Sequence, residues 1–380
     1  MSSVLEQQVD RHPLELKTGV DVDATLTAHV EHELRVYLGR QRAAAASIDE
    51  AFASAVGALS DFVVSGGKRI RPTFAWWGWR AAGGDPDDLD TVVPVLRAVS
   101  ALELIQACAL VQDDLMDDSD MRRGLPTVHV AFGAKHREQG WSGSAERFGL
   151  SAALLLGDLA LVWADDMVRT SGLGLEALAR TNEAWHGMRT EVLAGQYLDV
   201  LAQARAATDL HSAEQVSRYK TAAYTVDRPL HFGAALAGAD QELVAALRCY
   251  GADVGIAFQL RDDLLGVFGD PAVTGKPAGD DLREGKRTPL VAYGLDLAHR
   301  AGETGSAELI ESALGVPELD GGLLERVRAT LIRLGAVRAV EERINRLTTS
   351  GLAALDSVTI DSVAVTRLRE LALEVTHRSY

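Results

Sequence analysis

Apolar residues recur along most of the chain at the three-to-four spacing that gathers them on one face of a helix. Leu26, Val30, Leu34, Tyr37 and Leu38 set such a stripe over 24–42, and a second helix is expected over 48–64, stopped by Gly66-Gly67. A helix over 91–116 carries Leu96, Val99, Leu102, Ile105 and Ala109 on one side. The run 150–170 is apolar at nearly every position, which predicts a helix buried all round. More helices are expected over 181–206, over 251–268 and, beyond Pro289, over 323–347 and 361–376. No segment alternates with the period of two that a half-buried strand requires, and no internal repeat is present. The fold class is all-α.

Between these helices the polar stretches differ in kind. Residues 1–23 carry no pattern and read as a flexible tail. The segment 129–149 is polar and contains glycines, so it is expected to be a long loop or lid. GGDPDDLD at 83–90 reads as a solvated loop and helix start. The Gly/Pro-rich stretch 270–288 holds Lys276 and Lys286, with Asp280 or Asp281 placed to cap a following helix.

The chain's 380 residues, 47% of them hydrophobic, fit two domains or one large helical domain. A net charge of −16 argues against nucleic acid as a partner, because a phosphate backbone needs a basic face. Cys108 and Cys249 make no disulfide scaffold. The N-terminal MSSVLEQQVDRHPLELK lacks the pattern of a secretory signal. The most apolar run, 150–164, is interrupted by Asp158 and is too short for a bilayer, so a soluble, cytoplasmic, non-spanning protein is expected.

The chemistry gathers in QACALVQDDLMDDSDMRRG, 106–124. On a continuing helix Asp113 stacks over Asp117 and Asp114 over Asp118. Stacked carboxylates repel by a few kcal/mol per pair at ~4 Å and an effective dielectric of ~20. A cation between them removes that cost, and oxygen-only ligands suit Mg²⁺, which keeps some waters and reaches for phosphate. Arg122 and Arg123 follow with fixed positive charge. Taken alone, the run reads first as a solvated acidic helix end.

A second cluster changes that balance. FQLRDDLLGVFGD ends another apolar helix with Asp262 and Asp263, and Gln259 lies one turn earlier. Lys68, Arg71, Arg122, Arg123, Lys220, Lys276 and Lys286 are the available counter-charges. The glycines of SGGKRIRP let the backbone approach an anion closely, and Pro72 suits the first turn of the next helix. Lys220-Thr221 sits inside an apolar helical pattern, where a lysine otherwise snorkels to water. Asp165-Asp166 repeats the acidic pair without a third acid at helical spacing and reads as a decoy.

These motifs resemble the trans-isoprenyl diphosphate synthases of farnesyl and geranylgeranyl diphosphate synthase type. The likeness rests on GGKRIRP, QDDLMDDSDMRRG, KT at 220–221, FQLRDD and GKPAGDDLREGK, in that order over 66–288. It implies a large single-domain helical bundle over 24–380 around a deep central cavity, usually a homodimer. It further implies that Asp113, Asp117 and Asp262 bind Mg²⁺, three ions with substrate bound, with Asp114, Asp118 and Asp263 assisting. The allylic diphosphate falls to Arg122, Lys220, Thr221, Gln259, Lys276 and Lys286, and isopentenyl diphosphate to Lys68, Arg71, Gln106 and Arg123.

Three features depart from the family. Gln106 stands where relatives often have histidine, so a hydrogen bond survives but its charge cannot titrate. Gly266 stands where many have a third aspartate, which predicts weaker metal binding at the second cluster. The 133–149 segment is longer than in many relatives.

A growing prenyl tail is expected to run along the helix that leads to Asp113. Cys108 and Ala109, one turn back, are small where fifteen-carbon synthases often carry aromatic residues, which favours a twenty-carbon product. Ile105, Leu102 or Trp163 would form a deeper floor, although Trp163 also reads as core. A farnesyl or longer-chain synthase, a terpene cyclase and a non-catalytic partner subunit are the competing readings.

Overall fold

The computed structural model describes residues 21–270 and 278–377, which are helical almost throughout. Residues 1–20 of the expected tail, and Lys276, lie outside the described residues. Helix α1 (Val22–Ala46) begins inside the expected tail, because Asp21 caps it by accepting from the Ala24 N–H. Asp23 then accepts from Trp76 Nε1 at 2.7 Å and Arg80 Nε at 3.1 Å, tying α1 to α3 (Ile70–Ala81). Helix α2 (Glu50–Val64) runs between them.

The expected 91–116 helix is two, α4 (Leu89–Ser100) and α5 (Leu102–Met116). No glycine or proline marks the break at Ala101, but Ser100 Oγ bonds back to the Leu96 carbonyl, a contact that bends helices. Beyond α5 a two-residue hairpin pairs β1 (Met121–Arg122) with β2 (Leu125–Pro126), Arg122 opposite Leu125. It is too short to show as alternation.

The expected loop at 129–149 is mostly helix. Helix α6 (Val128–Glu138) packs on the start of α7 (Ala145–Arg169), where a Cβ at Gly149 would stand 2.1 Å from the His129 carbonyl oxygen. Phe132, His136, Trp141 and Phe148 close the turn between them as an aromatic cluster. Their helical spacing was masked by the polar residues around them.

Nor is α7 buried all round. Ala153, Leu156, Ala160, Ala164 and Met167 pack inward, while Leu150, Leu154, Leu155 and Val162 are exposed. At 25 residues α7 is also long enough for a bilayer, contrary to expectation, as are Leu89–Met116 and Gln241–Phe268 by length and composition alone.

The remaining elements surround α11 (Gln241–Phe268). Helix α8 (Leu175–Ala204) and α9 (Leu210–Val216) lead into a π-helical segment, Ser217–Asp227, before α10 (Arg228–Ala237). Pro229 has no N–H for the Thr225 carbonyl, and the turns before it are wide. The segment is clamped from both sides: a Cβ at Gly195 would lie 2.1 Å from the Lys220 nitrogen, and one at Gly255 2.8 Å from the Ala222 Cα.

The first half of α11 belongs to one large apolar core with α1–α8, α10 and the C-terminal helix. Its second half nucleates a smaller core with α12 (Asp280–Arg283), α13 (Pro289–Ala301), α14 (Thr304–Ser312), α15 (Gly321–Leu334) and α16 (Ala336–Leu355). The expected 323–347 helix is divided at Gly335, whose φ of 84° ends α15 in the left-handed region. Helix α17 (Ser362–Thr376) closes the bundle. Neither Asp280 nor Asp281 is a cap; Gly279, at φ 77°, holds that position.

Candidate active site

Helix α5 ends at Met116, and its end decides which aspartates converge. Asp113 is on the last turn, Asp117 caps it, and Asp118 turns to φ 51° and is exposed. The expected stacking of Asp114 over Asp118 therefore does not form, and Asp118 stands apart from the acidic cluster. Its place is taken by Asp199 of α8: Asp113, Asp117 and Asp199 each offer an oxygen within 4.8 Å of the others. Asp199 lies on the polar side of its helix, but no neighbouring acid in sequence marks it as a ligand.

Each acid of this cluster is held by a base. Lys220 Nζ donates to Asp113 Oδ1 at 2.7 Å and to Asp199 Oδ2 at 2.5 Å. Lys286 Nζ lies 3.0 Å from Asp117 Oδ2 and also pairs with Glu284. Arg122 Nε donates to Asp114 Oδ1 at 2.6 Å and its Nη2 to Asp113 Oδ2 at 3.2 Å. Gln196 Nε2 adds a 3.3 Å contact to Asp113. Lys220 does not snorkel; the π-helical segment points it inward.

Burial raises the Asp113 carboxyl, but Lys220, Lys286 and Arg122 outweigh it and hold the group well below the usual range. Asp117 moves the other way, pushed up by burial against the pull of Lys286 and helped by its like charge, Asp113. Burial opposes the charge on Lys220 and Lys286, yet the surrounding carboxylates keep both ammonium groups charged. The donor set is oxygen only, drawn from two helices, which fits a hard divalent cation such as Mg²⁺.

Across the cavity α11 brings Asp262, exposed on the wall, and Asp263, 2% exposed. Gln259 Nε2 donates to Asp263 Oδ1 at 2.7 Å, so this glutamine orients an acid as well as lining the cavity. Burial, and then Asp281, push the Asp263 carboxyl well up.

The third wall is the loop after α2. Gly66 and Gly67 adopt φ of 107° and 127°, which only glycine takes without strain, and Arg123 Nη1 donates to the Gly66 carbonyl at 2.9 Å. Arg71 Nη2 donates to Thr225 Oγ1 at 2.8 Å, and its guanidinium stacks 4.0 Å over the Tyr224 ring. The Tyr224 hydroxyl donates to Gln106 Oε1 at 2.8 Å, which leaves the Gln106 amide nitrogen as the donor for a ligand. Arg69, at φ 49°, anchors the loop through Val63 O at 3.0 Å and buried Glu103 at 2.7 Å. Removing one partner of such a buried pair typically costs about 3–5 kcal/mol.

These walls enclose one cavity of about 790 Å³. Lys68, Arg71, Gln106, Arg122, Arg123, Lys220, Thr221, Gln259 and Lys286 line it together with Asp113, Asp262 and Asp263. Asp114 is buried behind Arg122, 1% exposed. Of the five residues expected to set tail length, only Ala109 lines the cavity, and Leu102 is fully buried. Cys108, Ile105 and Trp163 are buried in the core, and the Trp163 carbonyl accepts from the Tyr37 hydroxyl at 3.1 Å. The decoy pair behaves as one: Asp165 accepts from Trp185, Arg189 and Arg169, a structural knot between α7 and α8.

A helical bundle that places acidic helix ends and a ring of lysines and arginines around one deep, partly apolar cavity suits an enzyme that works on diphosphates with divalent cations. The sequence model of the polyprenyl synthetase family matches residues 54–315, and the chain belongs to that family. A geranylgeranyl pyrophosphate synthase from Corynebacterium glutamicum, solved with isoprenyl diphosphate and magnesium, is 48% identical, with a TM-score of 0.90 over 95% of this chain and 100% of that one. A geranylfarnesyl diphosphate synthase from Aeropyrum pernix is 32% identical over 76% of this chain and 82% of its own length. A (2E,6E)-farnesyl diphosphate synthase from Mycobacterium bovis is 31% identical over 82% of this chain and 80% of its own.

Proposed function

We propose that this protein joins isopentenyl diphosphate head-to-tail to an allylic diphosphate, dimethylallyl, geranyl or farnesyl, and releases trans-geranylgeranyl diphosphate. The observation that carries this reading is the presence of two cationic groups in one cavity. Lys220, Lys286 and Arg122 stand among the aspartates, while Lys68, Arg71 and Arg123 gather around the Gly66-Gly67 loop. Two diphosphates give both groups work; a cyclase, with one diphosphate, leaves the second without a role.

Asp113, Asp117 and Asp199 would hold Mg²⁺ from one side and Asp262 from the other, three ions with the allylic substrate bound. Bound Mg²⁺ supplies Lewis-acid stabilisation of charge on the departing diphosphate. Lys220, Lys286 and Arg122 donate to the same oxygens, and Thr221 and Gln259 complete the allylic subsite. Lys68, Arg71, Arg123 and the Gln106 amide hold isopentenyl diphosphate so that its double bond faces the allylic carbon. Ionisation breaks the allylic carbon–oxygen bond, the new carbon–carbon bond forms, and the adduct loses a proton to the released diphosphate. Leu110, Val192 and Phe258 line the cavity as its apolar part, where the cation is kept from water.

Relatives named for shorter and longer products support elongation without fixing its length; small Ala109 on the cavity wall favours twenty carbons over fifteen. The exposed leucines of α7 support an isologous homodimer, and the soluble, cytoplasmic setting is part of the same reading. The test is an incubation of purified protein with Mg²⁺, isopentenyl diphosphate and each primer, with products sized by chromatography. Geranylgeranyl diphosphate is expected, and Asp113→Ala is expected to abolish it. A cyclic hydrocarbon from geranylgeranyl diphosphate alone would instead mark a cyclase, and inactivity without a second protein a partner subunit.

A further inference from the structure

The second acidic cluster is one side chain short on its own helix, because the position one turn beyond Asp262 is Gly266. The space in front of Gly266 is nonetheless filled. A Cβ built there would stand 2.0 Å from Asp281 Oδ2 and 2.5 Å from its Cγ, so the Asp281 carboxylate occupies the volume a residue-266 side chain would enter. The backbone holds it in place: Gly279 N–H donates to the Gly266 carbonyl at 3.1 Å, and Lys286 N–H to the Asp281 carbonyl at 2.9 Å.

Asp281 lines the same cavity as Asp262 and Asp263. Beside it, Asp263 is 2% exposed, and its Oδ2 has no hydrogen-bond partner. A buried carboxylate oxygen without a donor, set close to a second carboxylate, is costly unless a proton or a cation is shared between them.

We infer that Asp281 supplies, from the short helix after α11, the carboxylate that Gly266 lacks, and that Asp281, Asp262 and Asp263 together form the divalent-cation subsite opposite Asp113. The weakened second site expected from Gly266 is thereby made good from elsewhere in the chain. Gly266 and Asp281 become a matched pair, since a side chain at 266 and the carboxylate at 281 compete for one place. The inference rests on the proposed diphosphate chemistry and adds a residue to it.

The test is Mn²⁺ binding to the full chain in the presence of inorganic pyrophosphate, with free Mn²⁺ read by electron paramagnetic resonance. Wild type is compared with Asp281→Asn, Gly266→Asp, the exchange Gly266→Asp/Asp281→Gly, and Asp113→Ala. Asp281→Asn is expected to weaken the loosest Mn²⁺ by at least tenfold, and the exchange to restore it. Wild-type Mn²⁺ binding in Asp281→Asn, with Asp113→Ala defective, would overturn the role of Asp281 and leave the proposed function standing. Wild-type binding in Asp113→Ala as well would remove the diphosphate site itself. Should Asp281→Asn fail to melt cooperatively, the exchange decides alone: recovered Mn²⁺ binding supports the inference, and lost binding in a folded exchange variant overturns it.

Discussion

Replacing Ala109 with phenylalanine sets an aromatic ring on the cavity wall one turn before Asp113, where the tail of a bound allylic diphosphate would pass. The residues behind Ala109 cannot retreat, because Cys108 is 2% and Ile105 1% exposed in the core. The end unit of a farnesyl primer's tail carries five carbons, and burying each is worth about 0.8 kcal/mol, or about 4 kcal/mol in all. Losing that burial lowers elongation from fifteen to twenty carbons by up to about a thousandfold at about 1.4 kcal/mol per decade. Elongation of geranyl to farnesyl diphosphate should continue, so the product shifts rather than disappears. The assay uses labelled isopentenyl diphosphate with a geranyl and, separately, a farnesyl primer, and chromatography of the dephosphorylated products. Cys108→Phe is the informative partner: its ring has no cavity to enter, and overpacking should cost about 1–3 kcal/mol of stability without shortening the product. An unchanged product distribution in Ala109→Phe, or shortening by Cys108→Phe in a protein of normal stability, would refute the placement of the tail.

Gly195→Ala drives a methyl group to 2.1 Å from the Lys220 nitrogen, so it should lower stability by about 1–3 kcal/mol or more and displace Lys220, seen as a reduced melting temperature together with a reduced kcat. A wild-type melting curve would mean that α8 and the π-helical segment are not in such close contact. Burial, and then Asp158, push the Cys108 thiol up to about 12, whereas Cys249 is exposed. A thiol reagent at pH 8 should therefore modify one cysteine in the native chain and two in denaturant; two in the native chain would contradict the packing around α5. Mg²⁺ and inorganic pyrophosphate together should raise the melting temperature more than either alone, with about 2.7 kcal/mol of added stability at a hundred times the dissociation constant. Purely additive shifts would count against a shared site.

Much of the site could be read before the fold, because its chemistry is written in local spacing. Asp113, Asp262, Lys220 and the glycine-rich loop each sit in a short motif whose residue types have few other uses. What escaped was set by long-range geometry. Asp199 and Gln196 reach Asp113 from α8, more than eighty positions along the chain, and nothing beside them in sequence signals a ligand. Arg69 and Glu103 are each a common residue on a helix or its cap until the fold buries them against each other. The errors in the elements have equally local causes. Stacking Asp114 over Asp118 assumed that the helix continued, but α5 stops at Met116. The outward leucines of α7 looked like core because periodicity cannot tell a buried face from an apolar one that none of the other described residues covers.

The pairing of acids with lysines also bears on how the cavity would take its ligands. Lys220 is shared between Asp113 and Asp199, and Lys286 between Asp117 and Glu284. A cation that binds these aspartates weakens their hold on the two ammonium groups, which are then drawn to the nearest other anion. The nearest arriving anion is the diphosphate that the same cation attracts. Cation and diphosphate therefore reinforce each other, since each removes the partner that the other would otherwise have to displace. Linkage makes this coupling reciprocal, so whatever factor Mg²⁺ adds to diphosphate affinity, diphosphate must add to Mg²⁺ affinity. Arg122 takes a separate part: its Nε stays on buried Asp114 while its Nη2 reaches Asp113, so the guanidinium keeps its orientation when the lysines change partners.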